Sequence, residues 1–185
     1  MTRAPWRDSA ARGYNDAMPL LEPLFAGLNR DGVRYVVVGG LAVVLHGFAR
    51  LTADVDLVVD LAPDEARKAM IVLGGLGLRP RAPVDPLAFA DANVRESWIR
   101  DKGMRVFSLW DPANPMREVD LFVEHPIPFP DLWERSETLS LATTSVRVAS
   151  IPDLIRLKLL AGRQQDLTDI EALDEILRQK RKSDG

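Results

Sequence analysis

The sequence predicts an α/β chain: a small mixed β-sheet flanked by helices, with a mostly helical C-terminal part. Three observations predict it. Short β-branched or aromatic runs alternate with apolar segments of helical period. Two of those runs, Val106 to Trp110 and Glu118 to Val123, are joined by Asp-Pro-Ala-Asn-Pro, a link suited to a hairpin. Beyond Pro126, Pro128 and Pro130, helical patterns dominate. The chain thus divides into a core over 15–125 and a helical module over 126–185.

Each element has its own signal. Leu20, Leu21, Leu24, Phe25 and Leu28 recur at helical spacing, and Asp31-Gly32 stops that helix. Val33 to Val38 is a buried strand, followed by Gly39-Gly40 and a short helix over Leu41 to His46. Thr52 to Val59 alternates as a second strand. Pro63-Asp-Glu opens a helix that ends at Gly74, Gly75 and Gly77. Short helical pieces fill Pro86 to Arg100. After the hairpin, Val146 to Val148 is a short strand, and Ile151 to Ala161 and Leu167 to Lys180 are helices. Residues 1–14 and 179–185 read as loose ends, and Arg178 to Lys182 as a solvated basic helix end.

Composition narrows the function classes. The 185 residues are enough to bury a core without staples. There are no cysteines, which excludes thiolate zinc sites, thiol catalysis and disulfides. The net charge of −3 argues against a broad nucleic-acid-coating surface. Met1 to Asp16 has no apolar signal-peptide core, and no run reaches the ~18 apolar residues of a membrane span. The expectation is a cytoplasmic protein without membrane contact. His46 and His125 are the two histidines, so a nucleophilic triad is not expected, and His46 reads as a packed or capping residue. Trp98 and Trp110 read as core or core-edge residues rather than base-stacking platforms.

The chemistry lies in Val36 to Val59. A strand ending in Gly39-Gly40 and turning into a helix offers close backbone approach and unpaired N–H groups to a phosphate; a tight turn would use the same pair. Residues two apart on a strand share a face, so Asp54 and Asp56 stand side by side while Val55, Leu57 and Val59 point into the core. Like charges so placed call for a cation, and Mg²⁺, or Mn²⁺ in its place, favours carboxylate oxygens together with nucleotide phosphates. Val119-Asp120-Leu121 is another apolar strand with one central acid. Beside the Asp54–Asp56 strand it would complete a trio able to bridge two metals about 4 Å apart. Asp120 then suits a general base. Glu118 shares its face and reads as structural or solvated.

This pattern of a glycine pair, a spaced Asp-x-Asp and a later lone acid resembles the nucleotidyltransferase superfamily. The resemblance implies Asp54, Asp56 and Asp120 as catalytic metal ligands, Gly39 and Gly40 as the triphosphate site, and an NTP as substrate. Many members carry Ser after the first glycine; Gly40 stands there, leaving backbone N–H groups for phosphate contact. Arg50-Leu-Thr52-Ala-Asp54 matches an Arg-x-Thr-x-Asp pattern of one branch, adding Arg50 and Thr52 as nucleotide-binding candidates.

Ile151 to Ile170 resembles the C-terminal module of the AbiEii-like branch, which includes toxins of type IV toxin–antitoxin systems. The likeness covers roughly 33–60 and 117–175. It implies Lys158 and Arg163 as phosphate contacts, a module site at Asp166 and Asp169, a tRNA 3′ end as acceptor, and a cognate antitoxin as partner. A protein hydroxyl or a small molecule is the alternative acceptor. The residues themselves also allow plainer roles: Asp166 as a helix cap, Lys158 as a lysine snorkelling from an apolar helix. Basic residues at 147, 156, 158 and 163 suggest a local groove. The alternative to an enzyme is an inactive module that binds NTP or a partner. A dinucleotide-binding fold lacks its third glycine here.

Overall fold

The computed structural model describes residues 20–52 and 54–183. The N-terminal stretch expected to be loose lies outside them. In chain order the elements are α1 (20–30), β1 (Tyr35–Val38), α2 (Gly39–Leu45), β2 (Asp54–Val59), α3 (Pro63–Gly75), β3 (Arg79–Pro80), a 3₁₀ turn (Pro86–Ala90), α4 (Ala92–Lys102), β4 (Val106–Asp111), β5 (Asn114–Phe122), α5 (Phe129–Arg135), β6 (Glu137–Ser140), β7 (Ser145–Val148), α6 (Ile151–Ala161) and α7 (Gln164–Ser183).

The strands form one mixed seven-stranded sheet in the order β3-β4-β5-β2-β1-β7-β6. β1 and β2 are antiparallel, β2 and β5 parallel, and β4 and β5 form the expected hairpin. The core is aliphatic: Val36, Val37, Leu57, Val58, Val119 and Leu121 are fully excluded from water. Trp98 stacks on Phe107 with ring centroids 5.2 Å apart, which gives it the core role the sequence assigned. His46 ends α2 as its C-cap and its Nε2 meets the Ala149 carbonyl oxygen at 2.8 Å.

Two expectations are corrected. The sheet does not stop at residue 125, because β7 pairs with β1 and β6 pairs with β7. The prolines that suggested a boundary instead start α5: Pro128 is its N-cap and Pro130 sits in its first turn, where a missing N–H costs nothing. The purely helical part begins at Ile151. The tail over 179–183 is also ordered, as the last turn of α7, where Lys180, Arg181 and Lys182 complement the helix dipole.

α1 is tied to the β6–β7 turn by a carboxylate. Glu22 is buried and accepts the N–H groups of Ala142 (3.0 Å) and Thr143 (2.7 Å) together with the Thr143 hydroxyl. The Thr143 hydroxyl bond, against the opposing effect of burial, holds the Glu22 carboxyl below its ordinary value of 4.5. An acid lowered in the folded state stabilises above its unfolded value and loses that stabilisation as pH falls through the folded one. Glu22→Gln should therefore lower the melting temperature by a few degrees at pH 7. Scans at successively lower pH should show the gap between the two proteins closing below 4.5.

Candidate active site

Strand register builds the site. β2 lies parallel to β5 so that Asp56 is opposite Asp120 and Asp54 opposite Glu118. On the far side of β5, β4 sets Ser108 opposite Asp120 and Trp110 opposite Glu118. Cross-strand partners share a face. The result is two rows on one face, Trp110–Glu118–Asp54 and Ser108–Asp120–Asp56. Val55, Leu57, Val119 and Leu121 fill the opposite face and are 2% exposed or less. Asp54, Asp56 and Asp120 are thereby brought onto neighbouring strands.

The glycine pair meets this row from β1. Val38 pairs with Asp56, so the chain turns into α2 directly beside that carboxylate. Gly39 holds φ +65°, and a Cβ there would lie 1.9 Å from Asp56 Oδ2. The Gly40 N–H donates to Asp56. Gly39 and Gly40 thus seat Asp56, and this amide, expected to be open to phosphate, is already engaged. A Cβ on Gly40 would meet Thr52 Oγ1 at 2.7 Å and the Arg50 guanidinium at 3.2 Å. A side chain at this position would have to displace the ends of Arg50 and Thr52.

The electrostatics are strained toward a cation. Burial, then the charges of Asp120 and Asp54, push the Asp56 carboxyl up from 3.8 to about 6. Burial also raises Asp120, against a hydrogen bond from the Ser108 hydroxyl. Asp120 Oδ1 is buried and takes no hydrogen bond. An unpaired carboxylate oxygen facing a second raised carboxylate is a donor set for a hard divalent ion. Among the described residues, no three His, Asp or Glu side chains are gathered tightly enough to hold one ion. Asp56 and Asp120 are the facing pair, and Asp54 is exposed at the start of β2. A pair suffices for magnesium, which binds through one or two carboxylates plus substrate phosphates.

The C-terminal residues converge on the same place, with different partners from those expected. Lys158, expected at the triphosphate, is buried, with its ammonium 3.1 Å from Asp166 and 2.5 Å from Asp169. Two carboxylates occupy it because both lie on α7, packed against its own helix α6. Asp166 accepts the backbone N–H of Arg163 at 3.1 Å, the reciprocal bond of a capping box, and its Nε–H at 3.0 Å. Burial would raise the Asp166 carboxyl, but these bonds and Lys158 outweigh it and hold the carboxyl below its usual value. Asp169 also accepts from Arg50 Nη1. Arg50 and Arg163 lie toward the acids: Arg163 lowers the Asp56 carboxyl through space, and Arg50 covers Gly40.

Arg81 is a site residue that no sequence pattern marked. Its guanidinium forks onto Glu118 with two 2.7 Å bonds, lies 5.4 Å from the centre of the Trp110 ring, and feels the charges of Asp120 and Asp54. It follows β3, a strand of two residues, too short to leave a sequence pattern. Arg147, counted toward a basic groove, packs 3.9 Å from the centre of the Trp133 ring and donates to Ser136 and Trp133. With Lys158 also enclosed, only Arg156 and Arg163 of the four basic positions are exposed.

The family described as "Nucleotidyltransferase of unknown function (DUF6036)" matches residues 25–179. The fold matches the crystal structure of an antigenic nucleotidyltransferase-like protein from Paracoccidioides brasiliensis, with a TM-score of 0.52 and 20% identity, over 84% of this chain and 73% of that one. No curated protein matches. No helix among the described residues is long and apolar enough to cross a membrane.

Proposed function

Since this chain belongs to the family of nucleotidyltransferases of unknown function (DUF6036), we propose that it moves a nucleoside monophosphate from an NTP to an acceptor hydroxyl with magnesium bound. The observation that carries the proposal is the facing pair Asp56 and Asp120, one raised to about 6 and the other with a buried, unpartnered Oδ1.

Asp56 and Asp120 would hold the ion, with Asp54 beside them on the same face. Magnesium, or manganese in its place, supplies charge neutralisation and polarisation of the phosphates. Arg163 and Arg50 take the charge of the β- and γ-phosphates, with Thr52 beside them at Gly40. Asp120 accepts the proton of the acceptor hydroxyl as its oxygen bonds the α-phosphorus and the bond to pyrophosphate breaks. A carboxyl raised by burial is suited to that transfer, being a stronger base than an ordinary aspartate. Arg81 lies beside Asp120, where it offsets the charge of Glu118.

The finer reading takes the AbiEii-like resemblance at its word: a toxin-type enzyme acting on a tRNA 3′ end and held in check by an antitoxin. The motif Arg163 to Asp169 supports it. The enclosure of Arg147 and Lys158 removes two of the four basic positions of the expected groove and favours a small or protein acceptor. Each α-labelled NTP, incubated with magnesium, the protein and either total tRNA or a protein lysate, separates these. Label should transfer with the parent and not with Asp120→Ala, and the labelled fraction names the acceptor. Magnesium-dependent NTP binding without transfer to any fraction would leave an inactive binding module.

A further inference from the structure

We propose that Asp169, together with Lys158 and Asp166, is a positioning set that aims the Arg50 and Arg163 guanidiniums at the triphosphate, so that Lys158 serves nucleotide binding without touching the nucleotide. The inference rests on the nucleotidyltransferase reading above and deepens it. It concerns five side chains from four segments: Arg50 in the loop before β2, Lys158 in α6, Arg163 between the helices, and Asp166 and Asp169 in α7.

Their arrangement is layered. The side chains of Lys158, Asp166 and Asp169 are 4%, 1% and 4% exposed, and those of Arg50 and Arg163 are 21% and 63% exposed. The ammonium and the two carboxylates therefore form a buried cluster, and the two guanidiniums lie outside it. A buried ion cluster is a poor device for stability alone, because desolvation consumes most of its Coulombic gain, and apolar residues would serve the α6–α7 contact as well. What such a cluster fixes is direction.

Direction is what the site needs. Each carboxylate serves two cations. Asp169 bonds Lys158 and Arg50 Nη1, and Asp166 bonds Lys158, the Arg163 backbone and Arg163 Nε. Three cations against two carboxylates leave one positive charge in surplus. That surplus lies at the outer layer, where the Arg50 guanidinium carbon and Nη2 are 3.2 Å from the Cβ position of Gly40 and Arg163 acts on Asp56. Without Lys158, the acids would have the two guanidiniums as their sole neutralising partners and would draw them inward. With it, Arg50 is held through Nη1 on Asp169 and Nε on the Leu51 carbonyl, Arg163 is held through Nε and Nη2 on Asp166, and each keeps N–H groups for a phosphate.

The test is a double-mutant cycle on the full chain, read by equilibrium binding of a non-hydrolysable NTP analogue with magnesium and by kcat and KM for transfer. Arg50→Ala and Asp169→Asn should each weaken binding about tenfold, the worth of one charge-assisted hydrogen bond, and the double variant should bind no worse than Arg50→Ala alone. KM should carry the change, with kcat nearly constant. Full additivity of the two losses, or unchanged binding in Asp169→Asn, overturns the inference and leaves the enzyme reading intact. A parent protein that binds no NTP with magnesium overturns both. Asp169→Asn leaves Lys158 with one carboxylate and is at risk of misfolding, so Asp169→Glu is run beside it. That variant keeps the buried charge and shifts the accepting oxygens by one methylene. It should melt like the parent and still raise KM; parental KM in a folded Asp169→Glu counts against positioning.

Discussion

Asp56→Asn is expected to abolish transfer and at the same time to melt higher than the parent in metal-free buffer at pH 7. Both effects come from one fact: the Asp56 carboxyl is buried beside Asp120 and Asp54 and is raised from 3.8 to about 6. A raised acid favours its neutral form in the fold. Its ionisation costs nothing below 3.8 and reaches its full cost above about 6, so the metal-free protein loses stability as pH rises through that window. At neutral pH the cost is at most about 3 kcal/mol, and asparagine removes it while still accepting the Gly40 N–H. Transfer should fall by at least about a hundredfold, the upper end of what losing a metal's supporting carboxylate costs. The check is a pair of melting curves with and without magnesium, alongside the transfer assay. Magnesium should raise the parent's melting temperature and leave the variant's unchanged. A variant that melts lower than the parent in metal-free buffer would show that Asp56 is a structural anchor and not a strained ligand.

Gly39→Ala should inactivate the protein to a similar degree by a different route. The backbone there is left-handed, which costs an L-residue about 1–2 kcal/mol. The added Cβ would also lie 1.9 Å from Asp56 Oδ2, so either α2 shifts or Asp56 leaves the row. We expect a drop of about 5 °C in melting temperature together with loss of magnesium-dependent activity. Gly40→Ala is the contrasting case. Its φ is ordinary, and its Cβ would meet the ends of Thr52 and Arg50, which can move. That variant should keep its fold and its kcat and bind NTP more weakly. Equal damage from both alanines would mean that the pair acts as a simple tight turn.

The acid row was legible in the sequence because its logic is local and periodic. Asp54 and Asp56 had to share a face, and Asp120 sat alone in an apolar run with one central polar position. The same periodicity gave the α/β class, the β4–β5 hairpin and the helices α3, α6 and α7 to within a few residues. The elements that escaped notice were short or amphiphilic. β3 has two residues, and β6 reads Glu-Thr-Leu-Ser, which no alternation marks as sheet. α5 was hidden among prolines that equally suit a linker.

What the sequence determined by itself is therefore most of the inventory: the longer strands and helices, a glycine pair, three acids and a charged C-terminal module, placed by spacing to within a few residues. What the tertiary structure decided is the pairing between them. Register put Asp56 against Asp120 and Asp54 against Glu118, and chain reversal at Gly39 laid the backbone on Asp56. The packing of α6 on α7 turned Lys158 inward to two carboxylates and left Arg50 and Arg163 outward. A charged side chain has several partners within reach of any plausible fold, and its choice among them depends on burial. Burial is set by contacts between segments distant in sequence, which no local pattern records.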